Sequence, residues 1–278
     1  MPDTMMYSTT PAAAPTHCSC GAPLERVRYF PRQLITADDM RAEQHYFREK
    51  QKRHNLFLHG WGVVCGCRVV ADPTASQPWL VQVCPGYAVG PQGDEILIPD
   101  PVSFDLQLGV QNPDPCTVTW PCPPQPVAKD NQQQIAYLAV RYTECVARPV
   151  RVHPAGCGCD QMDCEYSRIR DSFELKLLWA LPASHTAAVQ WDNTWRDTLA
   201  KNRDLIREDG LPVPACPACV DDPWVVLATI RIPTAQDQGA ASKVVPAPIT
   251  AGDISTRDRR VLLSTNAIQV MTEFVGGI

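Results

Sequence analysis

Five cysteines and a histidine in the second half of the chain have the spacing of metal ligands. His153, Cys157, Cys159 and Cys164 share one stretch, and Cys216-Pro-Ala-Cys219 lies beyond one predicted strand and one predicted helix. Two converging groups of soft ligands on knuckle-like turns are how structural zinc is usually held. Zinc here would staple two long loops that have little core of their own, and its binding energy would become folding energy. Cys157, Cys159, Cys216 and Cys219 form the expected tetrahedral set, with Cys164 or His153 able to replace one ligand. Disulfides in an exported particle and free buried thiols are the competing readings. A redox CxxC of thioredoxin type is not expected, because no βαβ pattern surrounds Cys216.

A second set of four sulfurs comprises Cys18, Cys20, Cys65 and Cys67. Zinc bound there would clamp an N-terminal leader to the first strand. Iron–sulfur ligation would use the same four thiolates, and incidental small residues are the bland alternative. Positions two apart in a strand share a face, so Cys65 and Cys67 are expected to point the same way.

Thirteen cysteines are many for a chain with no visible secretory signal, and the number is odd. That favours metal or free thiols over stable disulfides. The N-terminal MPDTMMYSTTPAAAPTH has neither a basic start nor an apolar h-region, and no apolar run is long enough to span a membrane. The expectation is synthesis in the cytoplasm, with release only as part of a larger particle. With 45% hydrophobic residues, 278 residues can bury one large core or two modest ones. A net charge of −5 argues against a broad nucleic-acid-binding surface. The 27 prolines punctuate short apolar runs, as in a β-rich chain with long loops.

The elements that must position these residues follow in order. Residues 1–27 read as a flexible leader and residues 28–278 as a single domain, with residue 130 the candidate point of any subdivision. A helix is predicted over Ala37–Leu56: Thr36 and Asp39 make a capping box, acids open it, and Arg48, Lys50, Lys52, Arg53 and His54 crowd its end. Its apolar stripe is thin, with Met40 and Phe47 on one face. A helix this polar either lies solvated on the surface or docks a partner chain, with Arg48, Lys52, Arg53 and His54 as the partner-binding residues. Strands are predicted at Trp61–Val70, Leu80–Ala88, Glu95–Ile98, Thr117–Trp120, Ile135–Arg141, Phe173–Leu181 and Trp224–Ile232, with a hairpin turn over Gly90–Asp94. Thr143–Ser167 reads as a loop. Further helices are predicted over Val189–Glu208, with Trp191 and Trp195 in the core, and over Ser255–Phe274. Strands dominate and helices interrupt them, so the fold class is α+β: a β-rich core of mostly antiparallel strands with N-terminal, middle and C-terminal helices and long Pro/Cys-rich loops.

Signatures of common catalytic sites are missing. His54 and His59 are five apart and lack the HExxH register, and no GxSxG, Walker or Rossmann glycine pattern occurs. His54 and Asn55 are expected to hydrogen-bond local backbone at the helix end. Asp160, Asp163 and Glu165 sit beside Arg168 and Arg170 and read as solvated ion pairs.

The runs LITADDMRAEQHYFREKQKRHNLFLHGWGVVCG, PGYAVGPQGDEILIP, YSRIRDSFEL and CPACVDDPWVVLATI, in this order, resemble a family of structural proteins that accompanies contractile injection systems and phage-tail-like baseplates. The resemblance covers residues 28–265. It implies a non-enzymatic structural subunit, a virion-type component of the baseplate or fibre-attachment region. Its partners would be other subunits of a symmetric oligomer, with no nucleic acid and no direct membrane insertion. Two rivals remain. A cysteine-ligated metalloenzyme or redox protein would need an open coordination position near Cys157–Cys164, and a surface- or carbohydrate-binding module of a tail fibre would need an exposed aromatic groove.

Overall fold

A computed structural model describes residues 23–113, 116, 135–152, 163–201, 216, 221–232 and 247–276, and the statements below concern these. The chain forms α1 (Ala37–His54), a π-helical turn (Asn55–His59), β1 (Gly62–Gly66), β2 (Val69–Ala71), β3 (Leu80–Val83), β4 (Gly86–Val89), β5 (Glu95–Ile98), β6 (Val102–Asp105) and β7 (Val110–Asn112). It continues through β8 (Ile135–Val152), β9 (Asp163–Leu178), α2 (Ala183–Lys201), β10 (Val225–Arg231), β11 (Ile254–Ser255) and α3 (Thr265–Gly276). The strands make three sheets, ordered β1-β4-β5, β2-β3-β6-β7 and β11-β10-β8-β9, and every strand pair within them is antiparallel. The α+β class, with helices at the N-terminus, middle and C-terminus, is as the sequence implies.

The core is mostly aliphatic with a few aromatic rings. Val81, Val83, Ile96, Phe104, Leu138, Val140, Leu227 and Ile230 are almost wholly removed from water. β10 is buried on both faces, which is why it reads as an unbroken apolar run instead of an alternation.

Two expected strands are each broken in two. Between β1 and β2 the chain leaves the first sheet for the second, and between β3 and β4 it returns. The crossings pack backbone against backbone. A Cβ on Gly66 would lie 2.1 Å from the Pro85 carbonyl oxygen, and one on Gly86 would lie 2.2 Å from the Cys67 nitrogen. Only glycine fits such an approach, and Gly66 also takes φ +61°. Cys67 follows at φ +51°, so the strand alternation ends there: Cys65 is exposed and Cys67 is buried. The expectation that the two share a face is overturned. Arg259 ties this junction to the third sheet, donating to the carbonyls of Leu227 (2.8 Å), Cys67 (2.6 Å) and Gly66 (3.4 Å).

The expected loop over Thr143–Ser167 is mostly strand. β8 and β9 pair from Tyr137/Leu178 out to Val152/Asp163, whereas β10 pairs with β8 only as far as Val140. Beyond that point the hairpin is a two-stranded arm. Its polar, Arg-rich outer part lacks the apolar periodicity of a buried strand, which hid it. A disulfide joins Cys145 of the arm to Cys116, against the general expectation that the cysteines hold metal or stay free.

The helices shift as well. α2 begins at Ala183, before the expected Val189, because its buried first turn carries Ser184 and His185 in place of apolar residues. Trp191 and Trp195 are only half-buried, so they are not core residues. α3 begins at Thr265, after the expected Ser255. Val63 N–H donates to the Arg260 carbonyl and Leu262 N–H to the Val63 carbonyl, both at 2.9 Å, and these bonds hold the intervening segment extended against β1. The candidate strand Thr117–Trp120 and residue 130 lie outside the described residues.

Candidate functional site

The helix α1 is held at its two ends and by one side. At the N-terminus the capping box is complete: Asp39 N–H donates to Thr36 Oγ1 (3.2 Å), and Thr36 N–H donates to Asp39 Oδ2 (2.8 Å). The Thr36 N–H holds the Asp39 carboxyl below its usual range. At the C-terminus the helix presses on the β4–β5 turn. A Cβ on Gly93 would lie 2.2 Å from the Lys52 carbonyl oxygen, and Lys52 Nζ reaches Asp94 at 2.9 Å. Asn55, which is buried, donates to the Gly93 carbonyl at 3.0 Å and to Glu95 at 3.3 Å. The local backbone bonding expected of its side chain is therefore replaced by long-range bonds. Midway, Arg48 donates to Glu144 of β8 at 2.5 Å.

None of the eighteen residues of α1 is buried. Its outward stripe carries Met40 and Phe47, two turns apart, with Phe47 59% exposed. Phe57 and Leu58 after the helix and Leu34 and Ile35 before it are exposed as well, Leu34 being 85% exposed. Met40 and Phe47 are therefore the candidate interaction residues of this helix. The arm is similar: Val146 and Ile169 are directly paired across β8 and β9 and are both more than half exposed. So is α3, whose Ile268, Val270 and Met271 face solvent.

The residues singled out by sequence are placed as follows. Arg48 and Lys52 of the expected partner-binding set form ion pairs within the chain. Arg53 is half-buried, and His54 stacks edge-on with His59 at 5.2 Å between ring centres. The ion pairs of Arg48 and Lys52 brace the helix against the arm and the β4–β5 turn. Sequence showed Met40 and Phe47 on one face but not which way that face points. His153, Cys157, Cys159, Cys219, Cys18 and Cys20 lie outside the described residues. Cys164 is in β9, its backbone paired with Arg151, and Cys216 is exposed. Among the described residues no three His, Cys, Asp or Glu side chains are grouped to hold a metal ion. Burial pushes the Cys67 thiol up to about 11.

No known protein family matches this chain, and no curated protein matches it. Among solved structures, a type VI secretion system TssK-TssF-TssG baseplate subcomplex is similar over 78% of this chain, at 10% identity and a TM-score of 0.33. This chain spans 58% of the chain it matches there. Among the described residues no helix is long and apolar enough to cross a membrane.

Proposed function

We propose that the protein is a non-enzymatic building block of a larger assembly, with α1 as the element that a neighbouring subunit covers. The observation that carries this is a capped, braced helix of eighteen residues with no buried residue and an apolar outward stripe. A helix of that kind gains its packing free energy from something beyond its own chain. The exposed apolar residues of the arm and of α3 support the same reading, since a two-stranded ribbon is marginal alone in water. The motif resemblance supplies the kind of assembly: the baseplate or fibre-attachment region of a contractile tail-like particle.

The test is incorporation. Met40→Asp with Phe47→Asp should leave the isolated chain folded and exclude it from particles assembled in cells. Normal incorporation of that variant would refute the reading. Charge reversal at Arg48 is the poorer probe, because it also breaks the pair with Glu144.

A further inference from the structure

A cleft of about 500 Å3 opens between the β4–β6 region and β9. Its walls combine two chemistries. Leu97, Pro99, Val102, Pro113 and Phe173 make it apolar, while Glu95, Asp100 and Asp171 set three carboxylates against one guanidinium, that of Arg170. The ion pairs of the described residues leave all three carboxylates without a cationic partner. Two of them are held in place. Tyr142 hydroxyl donates to Asp171 at 2.7 Å, and Asn55 donates to Glu95. Burial and the neighbouring Glu95 push the Tyr87 phenol on the cleft wall up to about 12, so it stays a neutral donor.

Lysine and arginine are the side chains that match such walls, with an apolar stem and a cationic head. The backbone beside the cleft points to the form in which they arrive. Among the described residues β9 is the outer strand of its sheet, and its segment Tyr166–Asp171 pairs only with β8. Further along, the Gln111 side chain caps the same strand, accepting from Leu175 N–H at 2.7 Å and donating to the Phe173 carbonyl at 3.4 Å. The uncapped stretch therefore ends at the cleft mouth and can accept an added strand.

We propose that this cleft receives a lysine or arginine side chain carried on an extended polypeptide segment of a partner, laid along the outer edge of β9. The inference stands on the cleft and the strand edge, and does not depend on α1 being covered.

The experiment titrates the full-length protein with two fluorescent peptides of alternating Val-Lys and Val-Glu sequence, read by anisotropy. The Val-Lys peptide binds saturably and loosens as salt is raised from about 50 mM to about 500 mM; the Val-Glu peptide does not bind. Glu95→Gln with Asp171→Asn weakens binding about tenfold, and Asp100→Asn, on an exposed loop, weakens it about twofold to threefold if the double variant fails to fold. Absent or unsaturable binding, equal binding of the two peptides, or unchanged affinity in the variants overturns the proposal. Calcium that binds alone and displaces the peptide would make the cleft a metal site and overturn it too. Normal incorporation of the α1 stripe variant leaves all of these outcomes readable.

Discussion

Arg48 on α1 donates to Glu144 on β8 at 2.5 Å, joining residues 96 positions apart and tying the otherwise solvated helix to the two-stranded arm. The two side chains are 47% and 28% exposed, so water screens the pair and its worth is about 0.2–1 kcal/mol. Arg48→Glu and Glu144→Arg should each destabilise by that amount, and the double swap should recover most of it. A denaturant-unfolding double-mutant cycle measures this; a coupling of zero would mean that the helix is placed by its ends alone.

The apolar stripe makes the opposite kind of prediction. Met40 and Phe47 are 49% and 59% exposed and neither belongs to the core, Phe47 meeting the Tyr46 ring edge-on, so Met40→Asp and Phe47→Asp should each change the stability of the isolated chain by no more than about 0.5 kcal/mol. Thermal unfolding of the purified variants checks this. A large loss would show that the stripe belongs to the core and not to an interface.

Gly86→Ala should be far more damaging than its size implies. The added Cβ would meet the Cys67 nitrogen at 2.2 Å and Cys67 Sγ at 2.5 Å, at the point where the chain passes between sheets. The expected cost is about 3 kcal/mol or more. Alanine at Gly90, where the nearest atom would be 3.6 Å away, is the control and should be tolerated.

The disulfide between Cys116 and Cys145 spans 29 positions and anchors the arm. On the chain-entropy account its removal by reduction, or by changing both residues to serine, costs about 3.5 kcal/mol. Unfolding curves with and without reductant give the number. Indistinguishable curves would mean that the bond does not form in solution.

His185 sets a pH dependence. It is buried at the start of α2 with no partner for Nδ1, stacked edge-on at 6.5 Å from Trp61. Burial lowers its pKa below the ordinary 6.5; Arg260 lowers it further and Asp258 opposes. The unfolded chain therefore takes up this proton more readily than the folded one. Stability is full above pH 6.5 and falls as pH drops through 6.5 toward the lower folded value. His185→Gln should flatten that part of the stability profile; an unchanged slope would remove His185 as its cause.

Legibility in the sequence tracked locality. The capping box at Thr36 and Asp39, the turn over Gly90–Asp94 and the apolar run of β10 depend on near neighbours and could be read directly. The break at Gly66–Cys67 depends on Pro85 and Gly86 arriving opposite, which no window around Gly66 contains. The outer part of β8 and β9 failed for a related reason. Cross-strand pairing holds residues such as Val146 and Ile169 without burying them, so they lack the signature of a core strand. Of the candidate site, the sequence contained Met40 and Phe47 but not the direction they face. That direction is set by Arg48, Lys52 and Asn55 taking partners on the other side.

On the proposed function, another chain covers the outward face of α1. A photo-crosslinking amino acid at Phe47, activated in intact native particles, tests it most directly. The expected result is a covalent adduct between this protein and a second polypeptide, lost when the particles are dissociated before illumination. A protein that yields no adduct in the particle, or that purifies only as a free monomer, would contradict it.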